Sequence, residues 1–245
     1  MAKLDPAVQA HLEWLGFVRP TGLVVSAPAL VRAGAILGRR DVEGQRLLHT
    51  CLDGAGEEVE PGIRDFRAFA TTSLGWTFSP KGYAGTNEQP IPPGLEVPLP
   101  DYGVTLRPDY AVREPSAEDG ASPWQLLVIV VPSGEDFDHA GRAGGRFDLS
   151  PHAQLERLLR ETRVPAGLLV NGHVLRLVSA PRAESSGWID FRVADMLETS
   201  GRPILTALRL LLGEPRLLTL PRPTRLAALL AECRRFQSEV SEQLA

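Results

Sequence analysis

The alternation of apolar and polar positions divides the chain into helix-period and strand-period segments. Val8, Leu12 and Leu15 share one helical face near the start, joined by Trp14; Asp5 caps this helix, Pro6 suits its first turn and Gly16 its end. Thr21-Gly22-Leu23-Val24-Val25-Ser26 predicts a short strand, and Pro28 opens a helix through Ile36-Leu37 that Gly38 stops. Residues 38–62 are charged and glycine-rich and read in part as a mobile connection. A helix is expected from Ile63 to Leu74, ending at Gly75-Trp76. Residues 79–103 hold six prolines and predict a long loop with one edge strand near Leu95 to Leu99.

Two strands follow, Val104 to Val112 and Trp124 to Val131. The second is almost continuously apolar, so it belongs in a sheet covered on both faces. After a loop at 133–149, Ser150 and Pro151 start a helix whose Leu155, Leu158 and Leu159 repeat at helical spacing to about Thr162. Ala166 to Val170 and Val174 to Val178 are strands, with Asn171-Gly172 expected as a type I′ hairpin between them. A last strand spans Trp188 to Val193, and helices are expected at about 193–199, 203–213 and 224–245. The final helix carries Leu226, Leu229, Leu230, Cys233, Phe236 and Val240 along one stripe and has no stop signal, so a longer natural chain is expected. The fold class is α/β: a mixed sheet core with flanking helices. Three stretches are expected: 1–62 as an extension and linker, 63–200 as the core, and 201–245 as closing helices.

Charge narrows the functional classes. With 26 Lys+Arg and 30 Asp+Glu among 245 residues, the formal net charge is −4, which excludes a uniformly basic nucleic-acid wrapper and leaves a local patch. Lys3 and Lys81 are the only lysines, so arginine carries nearly all the positive charge. Two cysteines, Cys51 and Cys233, exclude a disulfide framework and suit a reducing cytoplasm. No apolar run is long enough for a membrane span. The five histidines are scattered without ligand spacing and read as surface or loop residues.

The chemistry concentrates in the two central strands. The first contains Arg107-Pro108-Asp109-Tyr110; the second reads Val128-Ile129-Val130-Val131-Pro132-Ser133-Gly134. An Asp on one strand beside an acid-x-Lys on the next would hold Mg²⁺ against a phosphodiester, with the lysine stabilising developing charge. The segment resembles the restriction-endonuclease-like PD-(D/E)xK fold in its first half only. Ile129 stands where that family has the acid and Val131 where it has the lysine. Gln125 could substitute only in a shifted register, while Glu135, Asp136, Asp138 and Glu156 are the carboxylates that could migrate into the role.

A longer resemblance runs through residues 155–172, from Leu155-Glu156-Arg157-Leu158-Leu159-Arg160-Glu161-Thr162 to Val164-Pro165-Ala166-Gly167-Leu168-Leu169-Val170-Asn171-Gly172. It is similar to the amino-terminal region of Type IIG-like restriction–modification proteins that end in an adenine-specific DNA methyltransferase. Glu13-Trp14-Leu15-Gly16-Phe17 and the 229–241 stretch fit the same family. The resemblance implies an accessory module of a restriction–modification or anti-phage defence system, with a degenerate nuclease site that positions DNA or a partner subunit. Such proteins use S-adenosylmethionine, but the Asn/Asp-Pro-Pro-aromatic box is missing here, so the cofactor would act in a downstream region. This chain is then expected to hold no cofactor itself, and Mg²⁺ only if the nuclease site is active. Arg107, Arg142, Arg146, Arg157, Arg160 and Arg163 are the candidate phosphate contacts. Asp109 is the candidate catalytic remnant, with Glu135 and Glu156 behind it. An active Mg²⁺-dependent endonuclease with migrated carboxylates and a purely protein-interacting domain are the alternatives.

Overall fold

The structure, a computed structural model, describes residues 5–22, 24–38, 41–53, 60–117, 122–140 and 149–244, with side chains through 236. The amino-terminal part holds α1 (Pro6–Val18), α2 (Ala27–Arg32), α3 (Val42–Thr50), β1 (Leu52–Asp53), β2 (Gly62–Ile63) and α4 (Phe66–Leu74). The central part holds β3 (Tyr83–Ala84), β4 (Val97–Leu99), β5 (Val104–Leu106), β6 (Tyr110–Arg113), β7 (Trp124–Val130) and α5 (Pro151–Thr162). Then come β8 (Ala166–Val170), β9 (Val174–Ser179), β10 (Gly187–Arg192), α6 (Val193–Leu197), α7 (Arg202–Leu212) and α8 (Leu226–Leu244).

Six strands form one mixed sheet in the order β10-β9-β8-β7-β6-β3. Only β7 and β8 run parallel, because the chain crosses between them through α5; every other neighbour is antiparallel. Leu126, Val128, Leu168, Val170, Leu175, Leu177, Ile189 and Phe191 join a cluster with residues of α1 to α4 and α6 to α8. Leu127, Leu169 and Val178 join the opposite cluster with Leu155, Leu158 and Leu159 of α5. The apolar run of β7 is thus covered on both faces, as its sequence requires. At Gly167 a Cβ would lie 2.7 Å from the Leu155 side chain, so glycine lets α5 sit close on the sheet. Trp14, Leu48, Leu168, Leu208 and Leu229 all belong to the first cluster, so the stretches 1–62, 63–200 and 201–245 share one core.

Several expectations change. Val104 to Val112 is two strands, not one: β5 pairs with β4 in a separate hairpin, and β6 pairs with β7. Pro108 between them has no N–H to continue a ladder. Residues 79–103 also supply β3, the edge strand of the main sheet. Residues 38–62 are not simply a connection. They include α3, whose first turn is capped by Asp41 accepting the Gly44 N–H at 2.8 Å. The helix expected from Ile63 starts at Phe66, because Asp65 caps it and Ile63 pairs with Leu52 in a small ladder. Among the described residues of 21–26, the expected strand reduces to a single bridge between Thr21 and Trp188.

The buried face of α1 is His11 and Trp14, while Leu12 is exposed. The helix passes Gly16 and ends at Val18, with Arg19 left-handed. The β8–β9 turn is also displaced by one residue. Asn171 N–H donates to Val174 O at 3.3 Å, so Gly172-His173 is the central pair, and positive φ falls at Gly172 (84°) and not at His173. That is the type II′ signature. Asn171 is used as a side chain instead: Oδ1 accepts the His173 and Val174 N–H groups, and Nδ2 donates to Glu135 O.

Candidate functional site

Asp109 lies immediately before β6, beside the end of β7. Its backbone N–H donates to Val128 O at 2.8 Å, and its Oδ2 accepts the Val130 N–H at 2.7 Å. The carboxylate thus closes the β6–β7 ladder where regular pairing stops. Gly85 presses on it from just after β3: with φ 89°, a Cβ there would lie 1.9 Å from Asp109 O. Gly85, Thr86, Asn87, Arg107 and Asp109 border an open cleft of about 480 Å³. Asp109 keeps an exposed edge, yet surrounding protein raises its carboxyl above the usual range, against the opposing pull of the Val130 N–H and of Arg107.

The partner positions are apolar in space as in sequence. Ile129 and Val131 are half-buried and pack against the α5-side cluster. Gln125 sits at a bulge, since Val112 faces Leu126 while Arg113 faces Trp124. The bulge turns Gln125 to the helix-bundle side, where Nε2 donates to Arg113 O and Leu217 O, both at 2.6 Å. It lies at the opposite end of β7 from Ile129, so it replaces neither missing residue.

The other candidate carboxylates lie elsewhere. Asn171 holds the Glu135 backbone beyond the end of β8, on the side of β7 away from β6. Asp136 accepts the Asp138 N–H at 2.8 Å and faces His139 at 2.9 Å. Glu156 is shared by His152 at 3.5 Å and Arg160 at 3.9 Å. Asp138 is not simply in a solvated loop. It binds Arg176 Nη1 at 2.5 Å and Nη2 at 3.1 Å, while Asp190 takes Nε at 2.7 Å and Nη2 at 2.9 Å. This doubly forked arginine is buried on the α5 face, with Phe137 and Trp188 rings about its guanidinium. The Trp188 ring also meets His152, and burial lowers the His152 pKa below its ordinary value.

His11 is likewise no surface residue. It is fully buried, with Nε2 at 2.6 Å from Ala35 O and Nδ1 at 3.0 Å from Trp14 Nε1.

The arginine set separates. Arg107 pairs with Glu96 at 3.4 Å, and Glu96 and Arg157 line a common cleft of about 400 Å³ between α5 and the β4 approach. Arg107 and Arg157 therefore border one surface that starts at the Asp109 cleft. Arg160 turns back to Glu156. Arg163 ends α5 in a left-handed conformation and lines a different cleft with Arg222 and Arg234, two residues that the sequence pattern did not single out. Arg142 and Arg146 lie outside the described residues.

Among the described residues no three His, Cys, Asp or Glu side chains converge as metal ligands, and no helix is long and apolar enough to cross a membrane. No family model, curated protein or solved structure matches the chain.

Proposed function

We propose that this chain is the accessory amino-terminal module of a restriction–modification or anti-phage DNA methyltransferase system, with a restriction-endonuclease-like core whose nuclease site is degenerate. The observation that carries the reading is the pairing of the two segments on which the resemblance rests. Asp109 joins Val128 and Val130 directly, while Ile129 and Val131 occupy the positions of acid and lysine. Asp109 alone does not supply a Mg²⁺ ligand set, and Ile129 and Val131 cannot add to it, so the residues do not fit the metal and no step runs through one. Asp109 instead keeps the strand pair and its cleft in shape.

In this reading the surface from Arg107 to Arg157 meets the DNA backbone. Guanidinium forks suit phosphate oxygens and fix position without reading bases. S-adenosylmethionine and adenine chemistry belong to a following region or to a partner subunit. Fluorescence anisotropy of a labelled duplex over a salt series tests the proposal. Binding should weaken linearly in log K against log salt, and Arg107→Gln with Arg157→Gln should flatten the slope by about 2 (0.9 per phosphate contact). Binding that ignores salt and both substitutions, or no binding at all, overturns the DNA-positioning role and leaves a protein-docking domain.

A further inference from the structure

The carboxyl ends of the parallel strands β7 and β8 hold two side chains that the nuclease-like reading does not use. β7 ends at Val130 and β8 at Val170, and the turns that follow bring Ser133 Oγ to 3.2 Å from His173 Nε2. The carboxyl ends of parallel strands are where open α/β sheets gather ligands. We propose that Ser133 and His173 form a nucleophile–base pair that accepts an acyl group from a small carboxylic ester. The pair stands apart from the DNA-positioning role and from Asp109, which meets β7 on its β6 side.

The hydrogen bonds fix which ring nitrogen is the base. His173 Nδ1 lies 3.3 Å from Pro61 O. A carbonyl can only accept, so in the neutral ring Nδ1 carries the proton and donates it. Nε2 then holds the lone pair, and the Ser133 hydroxyl donates to it. That is the order a general base requires: hydroxyl, imidazole, then an orienting acceptor, here a backbone carbonyl.

Both residues are held by the backbone around them. The His173 N–H donates to Asn171 Oδ1 at 3.1 Å, and the His173 carbonyl accepts the Val193 N–H at 2.8 Å. The Glu135 N–H closes a turn on Pro132 O at 3.1 Å, with Gly134 (φ 75°) in the place a type II turn reserves for glycine and Ser133 exposed at its corner. The Gly134 N–H ties this turn to Asn171 O at 3.0 Å. Glycines on two other segments give the pair its room. A Cβ at Gly62 would lie 3.0 Å from His173 Cε1, and one at Gly172 would lie 3.2 Å from Ser133 Oγ.

The step balances within the pair. Ser133 Oγ attacks the ester carbonyl carbon, and its proton passes to His173 Nε2. The ester C–O bond then breaks, and the leaving alcohol takes the proton from Nε2. Water adds to the acyl-serine with its proton going to Nε2, the bond to Oγ breaks, and Oγ recovers that proton as the carboxylic acid leaves. Among the described residues the Ser133 and Gly172 N–H groups have no hydrogen-bond partner, so two amides beside the hydroxyl remain as donors for the developing oxyanion. Glycine backbone and a carbonyl, the groups these contacts place on the pair, carry no net charge. They suit a neutral acyl carbon, whereas a phosphodiester would call for cations.

Two reactions of the whole chain test the proposal: labelling by a fluorophosphonate probe, located by peptide mapping, and hydrolysis of p-nitrophenyl acetate. In the first, Ser133 Oγ displaces fluoride from phosphorus and its proton again goes to Nε2. The expected results are an adduct on Ser133 that the urea-unfolded chain does not form, and a p-nitrophenolate burst of about one equivalent. Ser133→Ala should abolish both. His173→Ala should slow both about 100-fold or more, the usual loss of a general base, and added imidazole should restore part of the rate, which a purely structural role would not allow. His139→Gln, an exposed histidine on the same loop, should leave both unchanged. Thermal melts check that each variant is folded, and the wild-type peptide map decides by itself if one is not. Absence of the adduct from Ser133, equal labelling of the unfolded chain, or rates indifferent to His173→Ala overturn the pair. Labelling of Ser133 without a p-nitrophenolate burst overturns the acyl-ester assignment.

Discussion

Replacing His11 by leucine should destabilise the chain by about 2–6 kcal/mol, a figure that follows from two buried contacts. The indole Nε1 of Trp14 can only donate, so His11 Nδ1 accepts from it at 3.0 Å, and Nε2 carries the proton donated to Ala35 O at 2.6 Å. The imidazole is fully buried, so leucine preserves apolar packing but strands an indole N–H and a carbonyl. Each orphaned buried group costs about 1–3 kcal/mol. Against a typical domain stability of about 5–15 kcal/mol this is a large fraction. The same geometry fixes the pH dependence. Burial lowers the His11 pKa below 6.5, against the Ala35 carbonyl that favours the proton, so the folded chain prefers the neutral ring. A depressed histidine leaves full stability above about pH 6.5 and loses it as pH falls, because the unfolded chain takes up the proton first. Urea unfolding followed by tryptophan fluorescence at pH 7.5, 6.5 and 5.5 measures both effects. His152, also lowered, contributes to the wild-type slope, so the difference between wild type and His11→Leu isolates His11. A leucine variant within about 0.5 kcal/mol of wild type, or one with an unchanged acid slope, refutes the reasoning.

Three further outcomes follow from named contacts. Arg176→Ala leaves Asp138 and Asp190 facing each other; the 3–5 kcal/mol of a fully buried pair is reduced by their exposure of 52% and 28% to about 2–3 kcal/mol, and urea melts that show a loss below 0.5 kcal/mol would contradict the pairing. Gly85→Ala should cost more than about 2 kcal/mol, because a Cβ at φ 89° overlaps Asp109 O; a loss below 0.5 kcal/mol in the same assay would contradict the close approach. Asp109→Asn keeps an acceptor for the Val130 N–H and removes a charge disfavoured by burial, so at pH 7 it should be as stable as wild type or more so. Since the folded Asp109 carboxyl is raised, wild type is favoured while that group is protonated and loses the advantage as pH rises through the folded value; the Asn variant's relative gain should vanish in acid.

Much of the sheet was legible because β7, β8 and β9 are strongly apolar and α5 carries both a Ser150-Pro151 start and a leucine stripe; Ser150 Oγ does cap the Ala153 N–H at 3.3 Å. The short edge strands were not, since two-residue segments such as Tyr83-Ala84 have no period to read and exist only through pairing with Val112 and Ala111. Helix α3 was hidden by glycine and charge in 38–62, although Asp41 three residues before Gly44 was a usable cap signal. The Asp109 neighbourhood was visible from residue order alone. The Arg176 network left one clue: an arginine inside the apolar run from Val174 to Val178 needs a buried partner, but only the fold brings Asp138 and Asp190 to it. The arginine row on α5 misled because spacing on one helix says nothing of what ends it. The left-handed turn at Arg163 sends that residue to another cleft than Arg157.

The central claim, a nuclease-like strand pair that positions DNA without cutting it, is tested most directly by a Mg²⁺ titration of the chain with a labelled duplex, read for binding and cleavage in one experiment. Salt-sensitive binding at every Mg²⁺ concentration, with the duplex intact and Asp109→Asn, which keeps the acceptor for the Val130 N–H, bound as well as wild type, is the predicted result. Mg²⁺-dependent cleavage that disappears in Asp109→Ala would contradict it and restore Asp109 to a working metal site.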